Sequence, residues 1–327
     1  MKTAFVTGAS GFVGINLIKE LVENNWKITV LHRKNSNLEK LKIFDIQFAE
    51  GDITDYPALL EAIPENTFAA FHLAGDTTAW RLKNKRQNQI NVVGTQNIVK
   101  AALQKKVKKL IYTSSITIYG FHDQVINEQS PKLGEFSRIN YIKSKWLAEQ
   151  EILKGISKGL NAVIINPGHI LGPYDYNTWS QLFLLVDKNK LPGIPPGSGS
   201  FCHVQDVAKA LIAAAEKGQS GKNYLLGGDE VSFFELIQTI GKKLNRKVPK
   251  RTTPAWILKI FGYLSYWISY LTQKEPDATP EKVSIVSGKF VCDASAAKHD
   301  LNYKPKEIEV MVEDCIRWLK EENLITQ

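Results

Sequence analysis

Two groups of residues in this 327-residue chain have the types and spacing to do chemistry. The first is Tyr141-Ile-Lys-Ser-Lys145. Positions four apart on a helix share a face, so Tyr141 and Lys145 can converge on one point. A nearby ammonium favours phenolate and lowers the phenol pKa toward a range useful for proton transfer. Alone, such a pair also fits an exposed helix face. Ser114-Ser115, at the end of a preceding apolar strand, gives it company. The second group is Gly8-Ala9-Ser10-Gly11-Phe12-Val13-Gly14, which follows the apolar run Thr3–Thr7 and opens a helical pattern. Glycine there permits a tight turn, close approach of backbone to a pyrophosphate, and close helix–strand packing. The helix N-terminus adds free N–H groups and the positive end of its dipole. The spacing is Gly-x-x-Gly-x-x-Gly, not Gly-x-Gly-x-x-Gly, yet the strand–turn–helix context points to a dinucleotide site.

The end of the second strand discriminates between cofactors. An NAD site usually places Asp or Glu there, about 20 residues past the glycines, whereas a cation suits the extra 2′-phosphate of NADP. This chain reads Leu31-His32-Arg33-Lys34, with no carboxylate. Arg33 and Lys34 therefore favour NADP(H) through charge-assisted hydrogen bonds, with NAD as the second choice. A solvated turn is the competing reading of the two cations, and Lys40 is a further candidate.

These groups must be held by a frame. Thr3–Thr7, Lys27–Leu31, Ile46–Ala49, Phe68–Ala74, Lys109–Ser114 and Ala162–Pro167 read as strands. Ile15–Asn24, Tyr56–Ala62, Asn88–Lys105 and Tyr141–Lys158 read as helices between them. That alternation predicts an α/β fold, a Rossmann-type doubly wound parallel sheet. After Pro167 the text is rich in Pro and Gly through Gly199, followed by helical patterns at Val204–Lys217, Phe233–Leu244, Ala255–Leu271 and Glu309–Glu322, with a short strand at Asn223–Leu226. The expected division is an NAD(P)-binding domain over 1–166, with 203–228 returning to it, and a smaller, mostly helical substrate-binding region over 167–327.

Composition excludes several classes. The chain is 43% hydrophobic and 23% charged, so it is neither disordered nor fibrous. Cys202, Cys292 and Cys315 are far apart and form no Cys-x-x-Cys, which argues against a disulfide framework or a zinc site. No His/Cys/Asp/Glu cluster has metal-ligand spacing, so no metal is expected. The net charge is +9, but its clusters at Lys83–Arg86, Lys105–Lys109 and Lys242–Arg251 read as solvated faces without interleaved aromatics, so no nucleic-acid partner is expected. The N-terminal apolar run is broken at once by glycines and does not read as a signal peptide. Ala255–Leu271 contains Lys259 and falls short of the ~20 apolar residues a span needs. It reads as an amphipathic helix packed on the substrate side; docking to a membrane surface or partner is the minority reading. A cytoplasmic protein with no membrane span is expected.

With these pieces in place, the sequence resembles the short-chain dehydrogenase/reductase superfamily in its extended form, the NAD-dependent epimerase/dehydratase family. The matching segments are the glycine turn, Gly51-Asp52-Ile53, His72-Leu-Ala74-Gly75, Asn91-Val-Val-Gly94-Thr95, Thr113-Ser114-Ser115, Tyr141 with Lys145, Pro167-Gly168-His-Ile170-Leu-Gly172-Pro173 and His203-Val-Gln-Asp206. The resemblance implies Tyr141 as general acid/base, Lys145 as ribose holder and tuner of Tyr141, and Ser115, rather than Ser114, on the reacting oxygen. It implies Asp52 and Ile53 at the adenine, Ala74 and Gly75 along the phosphates and ribose, and Pro167, Gly168 and Ile170 near the nicotinamide. Asn91 is carried as a cofactor-side residue for which a direct catalytic role and a helix-packing or water-holding role stand as equal alternatives, and His203 as structural. It also implies a homodimer through Asn88–Lys105 and Tyr141–Lys158.

Two branches compete. Nucleotide-sugar epimerases and dehydratases often carry Asn after an aromatic beyond the sixth strand, where this chain has Gly168-His169. They also tend to carry an Arg clamp before the His-Val motif, where this chain has Gly199 and Ser200, although Arg246 or Arg251 could replace it. The dihydroflavonol 4-reductase and 3β-hydroxysteroid dehydrogenase-like branch is the better resemblance. One departure is Asn166, where many relatives have Arg before the Pro. Trp179, Phe183, Trp256, Phe261, Tyr263 and Trp267 are candidate liners of an apolar pocket, with core packing as the other reading. The leading expectation is NADP(H)-dependent carbonyl–alcohol interconversion on a small apolar substrate. A redox-neutral epimerase or dehydratase of a sugar or nucleotide sugar with NAD is the second. A non-catalytic dinucleotide-binding sensor or assembly subunit is the third, disfavoured because a pure binder has no use for a proton donor.

Overall fold

The computed structural model describes residues 1–276 and 278–326. The first half alternates as the hydrophobic pattern predicts. It runs β1 (Thr3–Thr7), α1 (Phe12–Glu23), β2 (Lys27–His32), β3 (Gln47–Glu50), α2 (Tyr56–Ala62) and β4 (Ala69–His72). Next come α3 (Asn84–Asn88), α4 (Gly94–Gln104), β5 (Leu110–Thr113), α5 (Asn140–Ser157) and β6 (Ala162–Pro167). Beyond Pro167 follow β7 (His169–Leu171), α6 (Ser180–Asp187), β8 (Ser198–His203), α7 (Val204–Lys217), β9 (Asn223–Leu226) and β10 (Glu230–Ser232). The chain closes with α8 (Phe233–Leu244), α9 (Ala255–Thr272), α10 (Pro280–Val286), β11 (Lys289–Phe290), α11 (Ser295–Leu301) and α12 (Ile308–Glu321).

The main sheet has seven strands in the order β3-β2-β1-β4-β5-β6-β9, and every pair is parallel. Its central strands are apolar on both faces because helices cover both. Alternation along β1 shows this: Ala4 and Val6 pack with α1 and α7 on one side. Phe5 packs with α2, α4 and α5 on the other. The chain reverses direction of winding between β1 and β4, and ligands of such sheets bind outside the strands' carboxyl ends at that point.

Three local expectations are corrected. The helix expected over Asn88–Lys105 begins four residues earlier and is interrupted: between α3 and α4, Gln89–Val93 forms a π turn. The Pro/Gly-rich stretch after Pro167 is not all loop. It contains β8, whose glycine is a packing requirement, since a Cβ on Gly199 would sit 2.5 Å from the His169 ring. β8 centres a second, four-stranded sheet with β7, β10 and β11.

The third correction concerns the aromatic stripe. Phe183 is fully buried and Trp179 stacks on Phe233 at 5.1 Å, so both belong to a core that includes Phe201 and Trp318. Trp256, Phe261, Tyr263 and Trp267 are not core residues: on α9 they point outward, each at least half exposed. That helix is not packed through its apolar face. Its buried residues are Gly262 and Ser269.

Candidate functional site

The site lies where β1 and β4 end. Gly8 turns the chain with φ of +76°, and a Cβ there would fall 2.6 Å from the Ala74 nitrogen. A Cβ on Gly14 would fall 2.2 Å from the Gly8 carbonyl oxygen. Both positions therefore require glycine. Gly11 caps α1 with no side-chain hydrogen bond and no acidic residue follows in the first turn. The first N–H groups of a helix have no partner within it. The backbone at Phe12, Val13 and Gly14 thus presents donors and the positive dipole end to an anion, and Ser10 is exposed beside them. The cradle fits a dinucleotide pyrophosphate.

Beneath the cradle, His72 ties β1 to α4. Its Nδ1 lies 2.8 Å from Thr7 Oγ1 and its Nε2 lies 3.0 Å from Thr95 Oγ1. Thr95 Oγ1 donates to the Asn91 carbonyl and Thr7 Oγ1 accepts from the Ala74 N–H. Those roles leave Nε2 as the donor and Nδ1 as the acceptor, a neutral imidazole. Burial, with Lys145 adding to it, pushes the His72 pKa down to about 3.

Asn91 has a positioning role. Its Oδ1 accepts from the Asp76 N–H at 2.7 Å. Its Nδ2 donates to the Asp76 carbonyl at 3.0 Å and to Ser144 Oγ at 2.9 Å. Ser144 Oγ in turn donates to the Tyr141 carbonyl. The π turn aims Asn91 between the segment after β4 and the start of α5, so this side chain fixes two walls of the site. Gly75 sits directly over it, its would-be Cβ 3.5 Å from Asn91 Oδ1.

On α5, Tyr141 is half-buried and Lys145 is buried. Burial raises the Tyr141 pKa, and the facing Ser115 hydroxyl opposes that shift. The Lys145 ammonium donates to the Thr113 carbonyl at 2.6 Å and lies 4.8 Å over the Tyr112 ring. Burial pulls Lys145 down to about 8, and Glu149 one turn further along α5 pushes it back up. Ser115, at the end of β5, caps the turn Ile116–Tyr119 and lies 2.9 Å from Thr117 Oγ1.

The remaining expected residues fall as follows. Arg33 and Lys34 follow β2, are exposed, and make no ion pair among the described residues. Lys40 is ion-paired with Glu322 at 2.6 Å, so it is corrected from a phosphate candidate to a structural cation. Asp52 accepts from the Thr54 N–H and hydroxyl, while Ile53 is buried against Gly94 and its carbonyl takes a bond from Asn97. Pro167 ends β6. Gly168 donates to the Leu226 carbonyl and leaves no room for a side chain against Ser200, and Ile170 pairs with Cys202 of β8 within the second sheet. His203 caps α7, its Nδ1 accepting from the Gln205 N–H and lying 3.0 Å from Lys306 Nζ.

Sequence reasoning missed Glu149. It has no exposed surface, is ion-paired with Lys132, and accepts from Asn166 and Asn223. The signal was present in the register, since Tyr141, Lys145 and Glu149 repeat every fourth residue along one face.

Comparison with known proteins places this geometry. The profile of the NAD-dependent epimerase/dehydratase family matches residues 4–227. The chain belongs to that family. It is an enzyme of the extended short-chain dehydrogenase/reductase type, an NAD(P)-dependent oxidoreductase. A Synechocystis protein provisionally named dihydroflavonol 4-reductase is 26% identical over 97% of this chain and 94% of its own. The sterol-4-alpha-carboxylate 3-dehydrogenase (decarboxylating) of Candida albicans is 27% identical over 98% of this chain and 99% of its own. Among solved structures, that of gox2253 superposes with a TM-score of 0.87 at 28% identity, covering 100% of both chains. Within the family, the described residues hold no helix long and apolar enough to cross a membrane.

Proposed function

We propose that this chain is an NADP(H)-dependent oxidoreductase that interconverts a carbonyl and an alcohol on a small apolar substrate, with Tyr141 as general acid/base. The observation that carries the reading is the gathering of Tyr141, Ser115 and Lys145 at the carboxyl edge of the sheet, beside a glycine cradle that fits a pyrophosphate. Residues 1–166 with 203–228 hold the dinucleotide, and the rest of 167–327 faces the substrate.

Bound NADPH supplies the hydride. The chain supplies everything else. The substrate oxygen is held between two hydroxyls. Tyr141 releases its proton there, and Ser115 donates a hydrogen bond as negative charge builds on that oxygen. Burial keeps the phenol protonated at neutral pH, which is the form that a reduction consumes. Lys145 holds the nicotinamide ribose, and its positive charge favours the phenolate left behind.

Two observations support the finer choices. Arg33 and Lys34 stand exposed at the end of β2 with no carboxylate beside them in sequence, which suits a 2′-phosphate. The positions where nucleotide-sugar enzymes resemble one another in an Arg clamp are closed here. Gly199 abuts the His169 ring, and Ser200 is buried with its hydroxyl accepting from the Cys292 N–H. Of the two possible substitutes, Arg246 is ion-paired with Asp187, while Arg251 is exposed. The Candida relative is named for a sterol substrate, an apolar ring system, and this supports an apolar substrate for this chain. A homodimer through α4 and α5, acting in the cytoplasm, completes the reading.

The test is to denature the purified protein, assay for released cofactor, and titrate the recovered protein with NADPH and NADH. Empty protein that binds NADPH well ahead of NADH is expected. Stoichiometric NAD in every preparation would overturn the reading in favour of an epimerase or dehydratase that cycles its cofactor in place.

A further inference from the structure

Helix α9 is built inside out. A helix on a protein surface normally turns its apolar stripe to the core and its polar face to water. Here the packed seam is small: Gly262, whose would-be Cβ is 3.1 Å from the Pro280 nitrogen, and Ser269, whose Oγ accepts from Trp80 Nε1 at 3.0 Å. The large side chains face away. Trp267 is 67% exposed, Trp256 64%, Phe261 61% and Leu271 88%. So much contiguous apolar surface marks an interaction site.

Charge selects the partner. From Leu236 through Lys274 there is no Asp or Glu, while Lys247, Lys250, Arg251, Lys259 and Lys274 are exposed. A second copy docked isologously would bring two such cationic segments together, which like-charge repulsion opposes. Trp and Tyr side chains on the exposed face suit the boundary between headgroups and acyl chains. At 18 residues the helix is too polar to cross a bilayer. It has the two signals of an in-plane anchor, an apolar face and a basic flank.

We propose that α9 lies in the surface of an anionic phospholipid bilayer and anchors the protein there. The anchor is joined to the candidate site. Trp80 and Ala79, which hold Ser269 and Thr279, continue the segment that follows β4 and that Asn91 fixes at Asp76. Arg81 strengthens the joint by pairing with Glu281 and lying 5.5 Å from the centre of the Tyr266 ring. An apolar molecule dissolved in the bilayer would meet the protein beside that segment. The anchoring itself does not depend on the reaction proposed above.

The test is co-sedimentation of the full chain with vesicles of phosphatidylcholine containing about one-third phosphatidylglycerol, against pure phosphatidylcholine and no vesicles. We expect at least about tenfold more protein in the pellet with the anionic vesicles, reduced by high salt. The triple variant Phe261→Ser, Trp267→Ser, Leu271→Ser should stay in the supernatant with an unchanged melting temperature. The charge-reversed Lys247→Glu, Lys250→Glu, Arg251→Glu variant tests the basic flank independently and should also fail to pellet. Equal pelleting with neutral vesicles, no pelleting with either, or a dimer that the triple variant converts to monomer would each overturn the proposal.

Discussion

Asn166 Nδ2 lies 3.3 Å from Glu149 Oε2 and 3.3 Å from the Ser115 carbonyl oxygen, so one amide joins the buried carboxylate of α5 to the backbone of a site residue. Neutral Asn cannot balance the Glu149 charge. Lys132 does, reaching in from the loop before α5.

Removing that cation strands a buried carboxylate. Lys132→Met is expected to lower stability by about 3–5 kcal/mol, the usual cost of leaving one partner of a buried pair unpaired. Lys132→Arg should recover most of it. Urea unfolding midpoints of the two variants check this, and a silent Lys132→Met would contradict the assigned pairing.

Tyr141→Phe keeps the ring and removes the proton. Turnover should fall about 10²–10⁴-fold while NADPH affinity changes little. Ser115→Ala should cost about 10²–10³-fold through loss of one donor to the reacting oxygen. Steady-state kinetics paired with a cofactor titration separate these effects from a folding defect; a Tyr141→Phe protein with full turnover would sink the proposed role.

The cations after β2 are exposed and touch no site residue, so Arg33→Ala with Lys34→Ala should leave the fold intact. NADPH binding should weaken about tenfold or more, as loss of a charge-assisted hydrogen bond implies. NADH binding should move less than about twofold. Equal loss for both cofactors would remove the phosphate contact from the reading.

Three buried histidines set a pH limit. Burial is the leading cause in each case and lowers His72 to about 3, and His169 and His203 to about 4. Between those values and the ordinary 6.5, the unfolded chain takes up a proton that the folded chain refuses. Stability is therefore full above about pH 6.5 and falls as pH drops toward 4, by up to about 1.4 kcal/mol per histidine per pH unit. Melting curves at pH 7, 6 and 5 measure it, and His72→Gln should flatten the slope. An unchanged melting temperature from pH 7 to 5 would refute the account.

The parts of the site legible in the sequence are those held together by short-range geometry. The glycine turn acts within seven residues of chain, and Tyr141 and Lys145 meet because a helix repeats every 3.6 residues. What could not be read depends on distant partners. Nothing local in Asn166 announces Lys132, and the Asn91–Asp76 bonds need the π turn that periodicity does not reveal. The same limit explains α9. Its composition reads as a helix seeking a core, but the packing face is chosen by Gly262 and Ser269, seven residues apart, which alone let Thr279 and Trp80 come close.

The π turn at Gln89–Val93 makes the segment sensitive to length more than to composition. Such a turn accommodates one residue beyond the α-helical count. Deleting a single residue there, Val92 for example, would let the backbone close into regular α-helix through to Gln104, with the flanking residues keeping their faces and the wide turn that aims Asn91 lost. Asn91 would then face away from Asp76 and Ser144. A deletion that improves the helix would in this way unfasten both walls of the site, whereas substitutions at the half-buried Val92 leave the count, and so the aim of Asn91, as it is.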